Sequence, residues 1–413
     1  MNKAFINGAA YGGHLDLLQT VLGMGWIDQD TSNDICLRAA QAGHLDVIKW
    51  AIAQGYSTSY ACNFAAGRGH LEALQYIFAH GGQFDFMTSV SAAGSGHLEV
   101  LKWLRLNGCE WDDRTCFVAA HGGHLDVLKW ARANGCPWKS TTVEYAIKGG
   151  NFEVLKWAIA NGCEWNYEPC RDAAKSGQFE MLKWVFENSG CKLDYTICHE
   201  AAEQGNLEML KWARANGADW DVYLCNTAAF NGHFELLKWA VANGCEWDAA
   251  TCSNAAMGGH LNILKWAVAN GCEIDSYTPN CAAEEGNLEM LEWLKDNKCV
   301  WDESTCYAAS SVGTLDTLKW LRANGCPWDH QTCSHAALHG RLEILQWARE
   351  NGCDWNEETC LSAAKGGHLE VLKWARANGC PWNYKTYEEA SNTEIAEWAA
   401  ANGCETDPNK SNL

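Results

Sequence analysis

GHLDVLKWARANGCPW, residues 123–138, returns almost unchanged as GHFELLKWAVANGCEW at 232–247 and as GHLEVLKWARANGCPW at 367–382. Its leading glycine recurs from Gly13, Gly43, Gly69 and Gly96 through to Gly367, and ten of the thirteen intervals are 27 residues, the others 30, 26 and 28. A degenerate unit, TYEEASNTEIAEWAAANGC, closes the array at Cys404. A fixed period of this size is the signature of stacked supersecondary units, each burying its faces on its neighbours. The 413 residues therefore read as about fifteen copies of one unit rather than as several unrelated domains. The expected array spans 1–404, with the first and last units as caps and 405–413 as a short polar tail.

Each unit reads as two short helices. In 112–138, Thr115 is placed as the N-cap of a first helix running through Ala120. Gly122 and Gly123 end it, since each glycine costs a helix roughly 1 kcal/mol. A second helix begins near Leu125, with Asp126 in its first turn where a negative charge suits the helix dipole. Leu125, Val127, Leu128, Ala131 and Ala133 form its buried side, and Lys129 and Arg132 are left to solvent. Gly135 is the expected left-handed residue beyond its end.

Composition excludes several functions. Lys plus Arg total 31 against 51 for Asp plus Glu, a formal net charge of −20. Nucleic acids and anionic membranes need clustered positive charge, so neither is an expected partner. A hydrophobic fraction of 47% argues against disorder, and no apolar run is long enough to span a bilayer. The N-terminus lacks a secretory apolar core, so the 22 cysteines are expected to be reduced, in an intracellular and most simply cytoplasmic protein.

The run AAxxGHLEVLxxxxxNGC resembles the ankyrin repeat, with matches at the AA, GHLE and NG positions along nearly the whole chain. The resemblance implies an all-α, ankyrin-like α-solenoid of helix-turn-helix repeats and a non-enzymatic scaffold or adaptor that binds another protein on its concave face. Two departures matter. The unit has 27 residues instead of about 33, and the shortfall lies where the family places its β-hairpin finger, so fingers are expected to be absent or vestigial. The TPLH motif is also missing, with Thr115 at its Pro and Cys116 at its Leu.

The repeated residues read as structure. Cysteine follows the helix-ending glycine (Cys136, Cys163, Cys245) and opens the first helix (Cys116, Cys170, Cys252), giving C-x6-C spacings such as Cys163 with Cys170. Free cysteine often packs as a small buried hydrophobe, and zinc sites favour closer spacing and four ligands. All but one of the 23 tryptophans keep the repeat register, which points to core rather than to a binding groove. Histidine occupies one ladder position in eight units, among them His124 and His233, where Asn151, Gln178, Asn206, Thr314 or Arg341 stand in others. A polar helix-starting residue explains the series better than proton or metal chemistry does. No nucleophile elbow, phosphate loop or metalloprotease motif is present, so no catalytic residue, metal or cofactor is expected.

Recognition is expected where units differ. The dipeptide before the ladder glycine and the connector vary most, and Tyr223, Phe230, Asn231, Met257, Tyr277, Glu284 and Glu285 form the candidate protein-binding set. The partner expected is a protein with a basic or mixed surface, bound by a monomer. A thiol-based metal or redox sensor is one rival. A substrate receptor for a ubiquitin ligase is another, although both ends run into repeats and no recruiting segment is expected. RNA reading by repeats would need basic residues on the varying positions, which are missing.

Overall fold

The computed structural model describes residues 3–405, so the expected tail lies outside it from residue 406 onward. The described residues form thirty α-helices and no strand, and the helices fall into fifteen pairs. They group into two bodies, one through Leu193 and one from Asp194. In each body the first helix of a unit packs closely on the first helices of its neighbours, while second helices approach one another far less. The first helices are thus the tight layer of each body.

The unit at 112–138 shows why the sequence folds this way. Asp112 is the N-cap: its backbone is extended and its carboxylate accepts the Arg114 N–H at 3.0 Å. The first helix is Asp113–His121, and the expected cap, Thr115, lies inside it and is fully buried beside Cys116, Ala119 and Ala120. The cap falls three residues earlier than Thr115 because the aspartate after Trp111 takes the role. Equivalent aspartates at 85, 194, 221, 248, 302 and 329 do the same.

Both helices of the unit end in Schellman geometry. His124 N donates to Ala119 O at 2.9 Å with Gly123 at φ +78°, and Cys136 N donates to Ala131 O at 3.0 Å with Gly135 at φ +84°. These bonds satisfy carbonyls that a helix end leaves orphaned. The second helix, Leu125–Ala133, buries Val127, Leu128 and Ala131. Burying a Val or Leu side chain contributes about 1.5–3 kcal/mol. Ala133, expected inside, is exposed, because it sits on the last turn beyond the buried stripe.

Arg132, expected in solvent, is half-buried. It donates to Cys136 O at 2.6 Å and lies 4.2 Å over the Trp138 ring. Arg214, Arg322, Arg349 and Arg376 make the same stack on Trp220, Trp328, Trp355 and Trp382. The connector tryptophan in turn meets the second-helix tryptophan of the next unit edge to face: Trp138 with Trp157 at 5.8 Å, Trp220 with Trp239 at 5.9 Å. These rings are half-buried. They stitch units together on the second-helix side and are not the innermost core, which is built from Ala, Val, Leu and Cys.

Candidate functional site: the exposed rows of the first helices

Positions that face the interior of the first helices hardly change. Ala119–Ala120, Ala228–Ala229, Ala255–Ala256 and Ala336–Ala337 are all fully buried. The two ends of the same helices carry the exposed, variable residues. Tyr223 lies in the first turn of helix Val222–Phe230 and is 62% exposed, and Phe230 closes that helix at 42% exposed. Seven residues at 1.5 Å rise separate them by about 10 Å. Tyr277 stands just before helix Thr278–Glu284, two units on from Tyr223, and is half exposed. Met257 occupies the Phe230 register one unit on and is half-buried, while Asn231 and Glu285 are exposed and Glu284 is half-buried.

The candidate set therefore falls into two rows. Tyr223 and Tyr277 belong to an N-terminal row, with Ala250 between them. Phe230, Met257 and Glu284 follow one another in a C-terminal row, bordered by Asn231 and Glu285. The aromatic residues do not gather into one patch. The sequence reading missed two neighbours of Tyr223: Tyr195, 52% exposed, and His199, whose ring lies 6.5 Å from both tyrosines and whose Nε2 is 3.5 Å from Asp221. Tyr195 opens the preceding first helix at the position Val222 holds in the next unit, one residue ahead of the Tyr223 register.

Charge is unevenly divided. Second helices pair Glu with Lys one turn apart, as in Glu153 with Lys156, Glu208 with Lys211 and Glu235 with Lys238. The excess carboxylates consequently lie in first helices and connectors. Glu284 illustrates the result: burial, and then repulsion from Glu285, raises its carboxyl above the usual range.

The histidine ladder has another role than starting helices. His14, His44, His70, His97, His124, His233, His260 and His368 occupy N-cap positions, yet their side chains bond no N–H of the helix they precede. Where the bond is resolved, Nε2 reaches back to the preceding unit: His124 donates to Gly94 O at 3.2 Å, His233 to Glu203 O at 3.1 Å and His260 to Phe230 O at 3.0 Å. Asn151, Gln178 and Arg341 make equivalent bonds from the same position. Asn206, Asn287, Thr314 and, in the closing unit, Asn392 instead cap their own helices. Each reaching side chain satisfies a carbonyl at the end of a neighbouring first helix, so the ladder ties unit to unit.

The thiols are mostly as expected. Among the described residues twenty cysteines are free, and all of these except Cys299 are buried. Burial pushes Cys36 and Cys62 up to about 12, far from a reactive thiolate at neutral pH. Contrary to the expectation of reduced thiols, Cys170 and Cys191 form a disulfide. The C-x6-C spacing does not mark the partners. The first-helix cysteine instead meets the cysteine that follows the second helix of its own unit, because the unit folds back on itself. No group of three or more His, Cys, Asp or Glu side chains among the described residues is arranged to hold a metal, and no described helix is long and apolar enough to cross a membrane.

Residues 198–241 match the family model described as ankyrin repeats in many copies. No curated protein matches the chain. Among solved structures, the human ASB11 ankyrin repeat domain aligns over 40% of this chain and 86% of that domain, at 19% identity and a TM-score of 0.34. The matched segment spans two of the fifteen helix pairs. The paired helices, the glycine-ended turns and the lack of strands in the described residues agree with that match, which identifies ankyrin repeats at residues 198–241 in an array built from a shortened unit.

Proposed function

We propose that the protein is a non-enzymatic scaffold that binds another protein through the exposed rows of its first helices. One observation carries this reading: the first helices keep their buried alanines from unit to unit while their exposed or half-buried ends change, from Tyr223 to Ala250 to Tyr277 and from Phe230 to Met257 to Glu284. Packing alone gives no reason for that variation, whereas recognition of an irregular partner surface does. Large exposed rings such as Tyr223 and Phe230 are the residue types that anchor interfaces. Excess carboxylates on the same layer favour a basic partner, through steering more than through affinity. Capture from the native cell with the full chain, compared with Tyr223→Ala and Phe230→Ala variants, tests the reading. Loss of a specific partner by at least about tenfold supports it, and undiminished capture by both variants refutes it.

A further inference from the structure

We infer that the cysteine pairs inside single units are sites of covalent modification, each closing to an intra-unit disulfide on exposure to a hydroperoxide. Six unbonded pairs place their sulfurs side by side: Cys116 with Cys136, Cys225 with Cys245, Cys252 with Cys272, Cys306 with Cys326, Cys333 with Cys353 and Cys360 with Cys380. In Cys252–Cys272 the Sγ atoms are 2.9 Å apart. The unit that carries one extra residue places Cys170 and Cys191 at the same two positions, joined, with Cα atoms 6.2 Å apart. That spacing lies within the roughly 4.4–6.8 Å a disulfide spans.

The chemistry balances with a hydroperoxide as oxidant. With hydrogen peroxide, the cysteine after the second helix attacks one peroxide oxygen as its thiolate; the O–O bond breaks, leaving a sulfenic acid and a hydroxide that takes up the proton the thiol released and departs as water. The first-helix sulfur then attacks that sulfenic sulfur, forms the S–S bond and releases a second water. Two sulfurs are oxidised by one electron each, and the two peroxide oxygens are reduced. The order follows from the hydrogen bonds: Cys252 donates its S–H to Cys272, which lowers the Cys272 thiol and raises that of Cys252. Cys225 with Cys245 and Cys360 with Cys380 behave alike. A small oxidant suits groups this buried, and the product ties the start of a first helix to the turn ending its own unit.

Two units are built-in controls. Ser89 takes the first-helix position opposite Cys109, with Oγ and Sγ 3.2 Å apart, and Val143 takes it opposite Cys163. The test exposes the fully reduced chain to hydrogen peroxide, blocks remaining thiols with N-ethylmaleimide in denaturant, and maps linked peptides by mass spectrometry. The expected links join the six intra-unit pairs and restore Cys170–Cys191, while Cys109 and Cys163 stay alkylated. Cys252→Ser, which copies the natural Ser89 unit, should abolish only its own link and leave Cys272 alkylated. Links across connectors such as Cys245–Cys252, unchanged free thiol at the six pairs, or Cys272 joined elsewhere in the variant would overturn the inference.

Discussion

Gly96→Ala and Gly108→Ala separate two reasons for a glycine. The two residues have nearly the same backbone, at φ +80° and φ +81°. A Cβ on Gly108 meets nothing within 4 Å, whereas one on Gly96 would sit 2.5 Å from Nδ1 of His124 in the next unit. Both alanines carry the left-handed backbone penalty, about 1 kcal/mol after the gain from a stiffer unfolded chain. Only Gly96→Ala also drives the His124 ring from its place, losing the bond to Gly94 O, which adds about 1–1.5 kcal/mol. Expected costs are therefore about 1 kcal/mol at Gly108 and about 2–3 kcal/mol at Gly96. Native-state hydrogen exchange in the affected units is the assay, because repeat arrays open locally. Placing Gly96→Ala in a His124→Ala background should bring its cost back to about 1 kcal/mol. Equal costs for the two glycines, or no coupling to His124, would refute the claim that the ladder histidine makes the contact between units.

Burial lowers the titration of His97 and His335 below the ordinary 6.5, with nearby histidines adding to the effect. Both states are neutral above 6.5. Below it the unfolded chain takes the proton first, so stability falls as pH drops through the folded values; urea midpoints between pH 7.5 and 5.5 should show this, and His97→Asn should lessen it. Asp112→Ala removes a helix cap and should cost about 1 kcal/mol in the same exchange assay. Trp239→Ala should cost about 2 kcal/mol, roughly half the range for a fully buried ring, with protection lost where Trp239 meets Trp220 and retained in distant units.

Much of the unit was legible because glycines announce themselves. Gly123 and Gly135 ended the two helices where their spacing said they would, and Leu125 began the second. Thr115 was misplaced because Asp and Thr both cap helices well, and only the packing of Thr115 against the buried alanines decides between them. Arg132 and Ala133 exchanged roles for a similar reason: the guanidinium is drawn over Trp138, a contact that helical periodicity does not encode. The histidine ladder and the cysteine pairs depend on residues about 30 and 20 positions apart. They become neighbours only once the unit folds back and stacks. For the candidate site the sequence located variable positions, of which Met257 and Glu284 are half-buried, but not their division into an N-terminal and a C-terminal row, which follows from helix length.

The most direct test of the binding reading compares opposite faces of one body. Full chains carrying Tyr223→Ala with Phe230→Ala, or Lys265→Glu on the exposed side of a second helix, should fold alike, since these side chains contribute little to packing. Capture from the native cell, quantified against the unsubstituted chain, should fall at least about tenfold for the first-helix double variant and stay unchanged for Lys265→Glu. Capture that survives the double variant but fails with Lys265→Glu would place recognition on the second-helix side and contradict the account.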